Sequence, residues 1–403
     1  MAERVVILGA GQAGAQVAIS LRQLGFVGDI VLLGDEPHPP YQRPPLSKGL
    51  LTGEMDVERT YIRQPAWYEK HAIELRLGVR AERIERDRQR LVMADGETLA
   101  YDFLVLCTGT RARRLGLPGE ELEGVFYLRT LDESHAIRTA ARPGTKAVIV
   151  GGGYIGLEVA AGLIKLGCEV TVLEALPRVM SRVVPASVSD FFTAEHEGRG
   201  VRILTGTGVV SLQGGAKVEQ VVGASRDIHV AQLALIGIGA APNDDIARAA
   251  GLPTENGVVV DELGRTEDPH VFAAGDVTNH PSHLFARRIR LESVHNAQAQ
   301  AKAVASAIAG KPAPYREVPW FWSDQYDLKL QIAGIASPDD EHLIRGDPAT
   351  RAFSCLHLRG ERLVAVDAIN RPQDFLAGQK LIREARAIDR HRAADPGIRL
   401  ADL

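Results

Sequence analysis

The N-terminal part of the chain alternates short apolar runs with a helix-like spacing of apolar residues. Val5–Leu8 is the first apolar run, and Ala15–Leu24 then places apolar residues three or four positions apart, which predicts a helix with one buried face. Ile30–Leu33 is the next apolar run. A strand, a helix and a second strand in this order form a βαβ unit, which predicts parallel strands in one sheet.

The same order of elements returns at Val148–Ala160, where an apolar run is followed by glycines and a helix-like continuation. Gly151, Gly153 and Gly156 have the spacing G-x-G-x-x-G. The first glycine of this pattern makes a tight turn, the second lets the backbone approach a pyrophosphate, and the third lets helix and strand pack closely. Glu174 ends the next apolar run, 23 residues after Gly151. An acid there suits the ribose hydroxyls of NAD(H) and disfavours the extra phosphate of NADP(H).

The first βαβ unit carries the same glycine pattern. Gly9, Gly11 and Gly14 follow its first apolar run, and Asp35 stands 26 residues after Gly9, beyond its second run. A glycine turn that only packs a strand against a helix is the alternative, but the complete pattern favours a dinucleotide site. Two such sites in one chain predict two different dinucleotides, one fixed and one exchangeable.

Later segments add hairpins, helices and a separate C-terminal region. Val201–Val222 is typical of hairpins, and Ala297–Ala309 is predicted to be a helix because it is rich in alanine. After Trp320, strand-like runs precede a predicted helix at Asp374–Arg386. The predicted fold class is therefore α/β, with two Rossmann-like dinucleotide-binding domains and a C-terminal α+β domain. The boundaries that we predict are 1–110 with 240–318 for the first domain, 111–239 for the second and 319–403 for the third.

The composition is that of an ordinary globular enzyme, with 45% hydrophobic and 24% charged residues among 403. The net charge of −4 argues against binding to nucleic acid. The sequence has no signal peptide and no apolar run of 18 residues, so we expect no membrane partner and a cytoplasmic location. Cys107, Cys168 and Cys355 form neither a C-x-x-C pair nor a zinc spacing, so we expect no redox disulfide and no metal centre.

Two further polar residues stand where a cofactor could meet them. Lys48 follows a stretch stiffened by Pro44 and Pro45, which would hold the lysine on a rigid support. Gly275 and Asp276 end an apolar strand, where an acid can accept hydrogen bonds from a sugar or a ribityl chain. The alternatives are an ordinary surface lysine and a simple turn acid.

These motifs together resemble a known group of enzymes. Two Rossmann units, a Thr-Gly-Thr strand end at 108–110 and the late Gly-Asp pair are similar to those of flavin-dependent reductases of the glutathione-reductase-like superfamily. More narrowly, the chain resembles the putidaredoxin reductase type of ferredoxin reductase. The segments that carry this resemblance span almost the full length and are Gly9–Gly14, Arg43–Lys48, Leu128–Leu131, Gly151–Ala160, Thr266–Asp276, Arg290–Val294 and Trp320–Tyr326.

The resemblance implies FAD in the first unit and NADH in the second. It implies that the first glycine turn binds the FAD pyrophosphate, that Asp35 and Ala81 lie at the adenosine, and that the other FAD residues lie on the flavin side. The residues implied for FAD are Gly9, Gly11, Ala13, Gly14, Asp35, Lys48, Ala81, Arg129, Asp276 and Val294. The residues implied for NADH are Gly151, Gly153, Ile155, Gly156, Glu174 and Gly237.

Three residues are implied to act at the flavin ring. Lys48 would lie near the ring, and Glu158 would pair with it, since a lone buried acid would be costly. Tyr154 would lie over the flavin and move aside for the nicotinamide. Arg178 could in principle meet a 2′-phosphate, but Glu174 occupies the ribose position, so NADH is favoured over NADPH.

The reaction implied by the resemblance is electron transfer from NADH through FAD to a two-iron two-sulfur ferredoxin. That ferredoxin would serve an oxygenase, either a cytochrome monooxygenase or a ring-hydroxylating dioxygenase. Such ferredoxins are usually acidic, so we expect a basic docking face, although a solvated charge run is the alternative. The candidates are Arg287, Arg288 and Arg290, with Arg111, Arg113 and Arg114 as the second choice.

Other classes of function stay open at this point. A rubredoxin reductase or an NADH oxidase would have the same two nucleotide sites and a different acceptor. A flavoprotein similar to apoptosis-inducing factor would have slow redox turnover and a binding role, and its basic nucleic-acid surface is not supported by the net charge of −4.

Overall fold

The computed structural model describes residues 3–403 of the chain. The chain divides into two compact units, each built from three separate segments. In the part of the chain that the structure describes, every helix is too short or too polar to cross a bilayer. Unit 1 comprises the segment that ends at Gln42, Val57–Arg111 and Ala241–Trp320. Unit 2 comprises Arg43–Asp56, Ala112–Ala240 and Phe321–Leu403.

A five-stranded parallel sheet forms the centre of unit 1. Its apolar runs are buried on both faces, which is why they show little alternation of apolar and polar residues. Helices Gln12–Gln23 and Val294–Ile308 cover one face. In spatial order, the strands are Val271–Ala273, Phe103–Leu106, Arg4–Leu8, Asp29–Leu33 and Ile73–Arg76.

Two smaller sheets complete unit 1. An antiparallel sheet contributes Ile84, Leu91 and Leu99 to the core on the second face of the central sheet. Its strands are Ala81–Glu85, Arg90–Met93 and Thr98–Ala100. The other sheet contains Val258–Val259, Thr278–Ser282 and Arg287–Ile289. The remaining short helices are Pro65–Lys70 and Asp245–Ala249.

Unit 2 contains a second parallel sheet of five strands. Its strands, in spatial order, are Arg202–Leu204, Glu169–Leu173, Lys146–Val150, Leu233–Ile236 and Val125–Phe126. Helices in this part are Gly49–Thr52, Leu131–Ala140, Tyr154–Lys165 and Ala186–Glu197. An antiparallel sheet of Val209–Gln213, Gln220–Gly223 and Ile228–Val230 follows. Two short strands, Thr110–Ala112 and Ala240–Pro242, lie where the chain passes from one unit to the other.

The C-terminal part of unit 2 is a five-stranded sheet whose later strands pair antiparallel. One face packs on helix Pro372–Glu384, where Gly378 lies so close to Val366 that a Cβ atom would be 2.6 Å from its side chain. The other face shares a core with Leu157 and Phe192 of the nucleotide-binding part. In spatial order, the strands are Trp320–Gln325, Leu328–Gly334, Arg362–Ile369, Ala352–Arg359 and Glu341–Asp347. A short helix, Arg390–Ala394, lies near the C terminus.

The predicted α/β class with a C-terminal α+β region is confirmed by this architecture. One element differs from the prediction. Within Val201–Val222, the strand Arg202–Leu204 pairs parallel at the edge of the nucleotide-binding sheet, and only the later part forms antiparallel pairs. A short apolar run has the same pattern in both settings, so the difference arises from which neighbour the strand meets.

Candidate dinucleotide and redox site

The first glycine turn leaves no room for side chains at two of its positions. Gly9 has a φ of +117°, and a Cβ atom there would lie 2.1 Å from the carbonyl oxygen of Cys107. A Cβ atom at Gly14 would lie 1.9 Å from the carbonyl oxygen of Gly9. These contacts hold strand Arg4–Leu8 and helix Gln12–Gln23 against each other at their junction. Only glycine fits both positions.

Gly11 has a different environment, because a Cβ atom there would have no neighbouring atom within 4 Å. It is the N-cap of helix Gln12–Gln23, no side chain caps that helix end, and its first turn has no acidic residue. The first N–H groups of the helix therefore keep their donors for an outside acceptor. Open space beside unpaired donors and a positive helix end fits a pyrophosphate. Ala13, in the first turn, is 7% exposed and packs below this space.

Asp35 and Ala81 lie beyond the carboxyl end of the central sheet in unit 1. Asp35 follows strand Asp29–Leu33 and is exposed, so its carboxylate can meet a sugar. The N–H of Val79 donates to the carbonyl of Gly34 over 2.9 Å, which brings the segment before Ala81 to the end of that strand. The position of both residues therefore fits the adenosine half of a dinucleotide at the glycine turn.

The Gly275-Asp276 turn is held by side chains that the sequence patterns did not single out. The Oε1 atom of Gln300 accepts from the N–H of Gly275 and from the hydroxyl of Thr278, both over 2.8 Å. The Nε2 group of Gln300 donates to Nδ1 of His280 over 2.8 Å. Burial lowers the pKa of His280 to about 4, so its ring is neutral and can accept this bond.

Helix Val294–Ile308 begins beside that turn in sequence and carries Gln300. Val294 is its first residue and is half-buried. The hydroxyl of Ser293 accepts from the N–H of Asn296 over 3.1 Å and caps the helix. The helix start is thus fixed by a cap, with its positive dipole end next to Val294.

The second glycine turn repeats this geometry in unit 2. Gly151 has a φ of +108°, and a Cβ atom there would lie 2.4 Å from the carbonyl oxygen of Gly237. A Cβ atom at Gly156 would lie 2.1 Å from the carbonyl oxygen of Gly151. Gly153 caps helix Tyr154–Lys165 without a side-chain bond or a first-turn acid, and a Cβ atom there meets nothing within 4 Å. Ile155 is 45% exposed beside this space, which fits a second pyrophosphate.

Glu174 lies directly at the second glycine turn. Its Oε2 atom accepts from the N–H of Gly152 over 2.7 Å, and its Oε1 atom accepts from the N–H of Leu176 over 2.8 Å. These bonds fix the carboxylate where a ribose would lie. Arg178 instead donates to the carbonyl of Val184 over 3.5 Å.

Lys48 and Glu158 form an ion pair within unit 2. The Nζ atom of Lys48 lies 2.6 Å from Oε2 of Glu158 and 3.3 Å from the carbonyl oxygen of Pro44. Glu158 is 3% exposed, and its carboxylate also accepts from the hydroxyls of Ser47 and Ser323. A buried carboxylate with an ammonium and two hydroxyl donors has its desolvation offset by charge-assisted hydrogen bonds. Ser323 was not identified from the sequence, because it lies 165 positions from Glu158 along the chain.

Tyr154 and Arg129 lie in the same unit as this ion pair. Tyr154 begins helix Tyr154–Lys165, and its ring centroid lies 4.7 Å from that of Phe321. Burial raises the pKa of the Tyr154 phenol well above its ordinary value, and the charge of Asp367 acts in the same direction, so the phenol stays neutral. The N–H of Arg129 donates to Glu133 over 2.6 Å, which fixes the backbone of Arg129 at the start of the next helix.

The three arginines proposed for docking have different environments in unit 1. Arg287 is exposed and makes no hydrogen bond or ion pair with its side chain among residues 3–403. The guanidinium of Arg288 donates to the carbonyl of Val260 over 2.6 Å and to Asn279. The Arg290 side chain is 11% exposed and pairs with Glu292 over 2.7 Å. Arg290 also donates to the carbonyl of Asp276 over 3.3 Å, so it supports the Gly275-Asp276 turn.

Cys355, His357 and Asp367 form a buried cluster on the C-terminal sheet. Their ligand atoms lie within 4.8 Å of one another, so the three could hold a metal ion. Nε2 of His357 lies 2.8 Å from Oδ2 of Asp367, and burial raises the pKa of the Cys355 thiol to about 12. The sequence spacing gave no sign of this cluster, because Asp367 joins it through the pairing of neighbouring strands.

Comparison with known proteins places this geometry in a family. The pyridine nucleotide-disulphide oxidoreductase family matches residues 3–301, and the reductase C-terminal family matches residues 320–403. A probable ferredoxin reductase of Castellaniella defragrans is 43% identical, over 100% of this chain and 98% of the relative. The ferredoxin–NAD(+) reductase component of the anthranilate 1,2-dioxygenase system of Burkholderia cepacia is 39% identical, over 99% of this chain and 98% of the relative.

A solved structure agrees with these relatives. The crystal structure of a covalent putidaredoxin reductase–putidaredoxin complex has a TM-score of 0.97 and 39% identity, over 99% of this chain and 97% of that one. These matches extend over both glycine turns and the C-terminal sheet. The chain therefore belongs to the pyridine nucleotide-disulphide oxidoreductase family, as a member of the putidaredoxin reductase type of ferredoxin reductases.

Proposed function

We propose that the protein is an FAD-dependent NADH:ferredoxin reductase. It passes electrons to a two-iron two-sulfur ferredoxin that serves a cytochrome monooxygenase or a ring-hydroxylating dioxygenase. The observation that carries this proposal is the presence of two glycine turns with open, donor-lined space, together with a buried Lys48–Glu158 pair. The ferredoxin reductases that this chain resembles along its full length support the same conclusion.

FAD, when bound, takes a hydride from NADH and gives up its electrons one at a time. The proposal assigns the pyrophosphate to the helix end at Gly11 and the adenosine ribose to Asp35. Asp276 accepts from the ribityl side, and the capped start of the helix at Val294 presents its positive end to the pyrimidine edge of the ring. The full set assigned to FAD is Gly9, Gly11, Ala13, Gly14, Asp35, Lys48, Ala81, Arg129, Asp276 and Val294.

NADH is assigned to the turn in unit 2. Glu174 binds the adenosine ribose, and its carboxylate repels the 2′-phosphate of NADPH. Tyr154 covers the flavin in the resting protein and moves aside for the nicotinamide. The full set assigned to NADH is Gly151, Gly153, Ile155, Gly156, Glu174 and Gly237.

The Lys48–Glu158 pair gives the ring site a fixed positive charge. Glu158 holds the ammonium of Lys48 in one place, and that ammonium stabilises negative charge as it develops on the flavin. No cysteine is assigned a role in electron transfer. Cys107, Cys168 and Cys355 are buried and free, and burial raises the pKa of each thiol, so a reactive thiolate is disfavoured. Free thiols fit the reducing cytoplasm, which is the proposed location.

The domain assignment follows the same proposal. Residues 1–110 with 240–318 form the FAD-binding domain, residues 111–239 form the NAD-binding domain, and residues 319–403 form the C-terminal domain. Ferredoxin docking is assigned to Arg287, Arg288 and Arg290, and among them the exposed Arg287 has the charge that is freest to attract an acidic partner.

Stopped-flow reduction of the purified flavoprotein by NADH, followed by mixing with acceptors, tests the proposal. We expect NADH to bleach the flavin, and a two-iron two-sulfur ferredoxin to reoxidise it faster than rubredoxin or oxygen does. Fastest reoxidation by rubredoxin or by oxygen would instead identify a rubredoxin reductase or an NADH oxidase. Slow flavin reduction with every acceptor would favour the flavoprotein class with a binding role. A colourless protein that takes up no FAD would refute the proposal outright.

A further inference from the structure

A continuous chain of hydrogen bonds leads away from Glu158 inside unit 2. Oγ of Ser323 lies 2.6 Å from Oε1 of Glu158, and Nε2 of Gln325 lies 3.2 Å from Oγ of Ser323. Nε2 of His196 lies 2.8 Å from Oε1 of Gln325, and the hydroxyl of Tyr326 lies 3.0 Å from Nδ1 of His196. The chain thus connects the carboxylate that holds Lys48 to helix Ala186–Glu197 through the first strand of the C-terminal sheet.

Its central members are fully enclosed. Ser323, Gln325 and His196 are each 0% exposed, and Glu158 is 3% exposed. Buried polar side chains need partners, and each of these finds its partner in the next member of the chain. The alternative, a set of independent polar side chains filling a core, would not need an unbroken sequence of donors and acceptors from one end to the other.

The direction of the bonds follows from the chemistry of Glu158. As the partner of an ammonium, its carboxylate accepts hydrogen bonds and donates none. Ser323 therefore uses its only O–H toward Glu158, and its oxygen is left to accept from Gln325. The amide of Gln325 must then present Nε2 to Ser323 and Oε1 to His196.

The orientation of Gln325 sets the tautomer of His196. Its Nε2 must carry the hydrogen in order to donate to the Gln325 oxygen, so Nδ1 of the neutral ring accepts from the hydroxyl of Tyr326. Burial lowers the pKa of His196, which favours this neutral form. Every donor in the chain therefore points toward Glu158.

The far end of the chain is anchored by charged pairs. The guanidinium of Arg199 lies 4.4 Å from the centre of the Tyr326 ring and 3.2 Å from Asp327. Arg351 pairs with Glu195 over 2.9 Å and with Asp327 over 2.6 Å. These contacts fix helix Ala186–Glu197 against the turn that contains Tyr326 and Asp327, so the chain has a rigid starting point.

We propose that Ser323, Gln325, His196 and Tyr326 are positioning residues that fix the Glu158 carboxylate through a one-directional hydrogen-bond chain, and through it the place of Lys48. The role of Lys48 at the flavin rests on the proposed function. The order of the chain itself does not, because all of its members are residues of unit 2 in direct contact.

The tautomer of His196 is a direct readout of this order. Nuclear magnetic resonance of protein with isotope-labelled histidine distinguishes Nε2–H from Nδ1–H, and a His196→Asn variant assigns the signal. Wild type should show the Nε2–H form, and an Nδ1–H form would overturn the proposal without any variant. Glu158→Gln replaces the acceptor by a group that can also donate, so the chain can reverse and the Nδ1–H form should appear.

Ser323→Ala interrupts the chain between Glu158 and Gln325. The amide of Gln325 then loses the acceptor that orients it, and we expect a mixture of His196 tautomers. Ser189→Ala is the matched control, because Ser189 is also 0% exposed in the helix of His196 but donates only to the carbonyl of Val179. An unchanged His196 signal in Ser323→Ala, or the same change in Ser189→Ala, would overturn the chain.

The positioning role has its own measurement in the FAD-loaded protein. Ser323→Ala should slow flavin reduction by bound NADH by about tenfold, since a hydrogen bond to a charged group is lost. The KM for NADH should change little, and Ser323→Thr, which keeps the hydroxyl, should recover the rate. A rate equal to wild type in Ser323→Ala would overturn the positioning role. Failure of the wild-type protein to reduce ferredoxin would refute the proposed function and leave the tautomer result standing.

Discussion

Glu158 and Glu174 show how the same residue type does different work in two surroundings. Glu158 is buried and holds an ammonium, so its charge acts at short range inside the protein. Glu174 is half-buried and is fixed by two backbone N–H groups at a glycine turn. Its fixed charge can therefore select a ligand by attraction to hydroxyls and repulsion of a phosphate.

Replacement of Glu174 tests that selection. Glu174→Ala should lower kcat/KM for NADH by about tenfold, because ribose bonds to a charged group are lost, and should raise the relative use of NADPH. Steady-state kinetics with both nucleotides and a small neutral acceptor measures the preference. Arg178→Ala is the control, since Arg178 contacts the carbonyl of Val184 and should not change the preference. An unchanged NADH/NADPH ratio in Glu174→Ala would show that this acid is not the selector.

The sequence located the glycine turns and Glu174 because a rigid βαβ unit fixes the spacing between its strand ends. It did not locate Ser323 or Gln300, whose partners are distant in sequence and are brought near by packing. Glu158 and Ser323 are 165 positions apart, and Gly275 and Gln300 are 25 apart across a loop and a helix. No periodic pattern relates such pairs, so only the folded structure could identify them.

At the scale of elements, long regular segments were predictable and short ones were not. Helix Val294–Ile308 agrees with the predicted Ala297–Ala309, and helix Pro372–Glu384 agrees with the predicted Asp374–Arg386. The short strand Arg202–Leu204 was predicted as part of a hairpin, and it pairs parallel instead. Helix formation is decided largely within the segment, whereas a short strand depends on the neighbour that it meets.

Two glycines of one turn should respond to alanine in opposite ways. In Gly14→Ala, the Cβ atom would lie 1.9 Å from the carbonyl oxygen of Gly9, so we expect the free energy of unfolding to fall by about 3 kcal/mol. Gly11 has an ordinary φ of −86° and open space, so Gly11→Ala should change that free energy by less than about 0.5 kcal/mol. Its methyl group should instead weaken FAD binding, because it enters the space assigned to the pyrophosphate.

Urea unfolding of the flavin-free protein and titration with FAD separate the two effects. Gly153→Ala and Gly156→Ala make the same comparison in unit 2, with NADH as the ligand. FAD binding by Gly11→Ala that equals wild type would contradict the assignment of this space. A Gly14→Ala protein of normal stability would contradict the packing argument.

At the scale of the whole molecule, buried histidines link folding stability to pH. His280 is 2% exposed, and burial with the charge of Arg288 lowers its pKa from 6.5 to about 4. Between these values the unfolded chain binds a proton that the folded protein does not bind, so the free energy of unfolding falls as pH decreases from 6.5. A shift of this size corresponds to about 3 kcal/mol at pH 4.

Unfolding by urea at a series of pH values from neutral to acidic measures this loss. His280→Gln keeps an oxygen that can accept from Gln300 and removes the titrating ring, so its stability should depend less steeply on pH than that of wild type. Parallel curves for the two proteins would contradict the assignment to His280. Burial also lowers the pKa of His196, so a smaller slope should persist in the variant.

Docking of an acidic ferredoxin is a property of the surface charge, and Arg287 offers its clearest test. Arg287 is exposed and has no ion pair among residues 3–403, whereas Arg290 is engaged with Glu292 and Asp276. Arg287→Gln should lower the rate constant for ferredoxin reduction by roughly two- to fivefold, which is the range of a single exposed charge.

The salt response distinguishes steering from an indirect effect on the flavin. Long-range attraction is screened by ions, so ferredoxin reduction by wild type should slow as salt is added, while reduction of a neutral small acceptor should not. Arg287→Gln should show a weaker salt dependence than wild type. Arg90→Gln is the matched control, since Arg90 is also exposed but lies in the antiparallel sheet of unit 1 and should leave both reactions unchanged. If both acceptors slow equally with salt, or if Arg90→Gln has the same effect as Arg287→Gln, charge at Arg287 does not steer the ferredoxin.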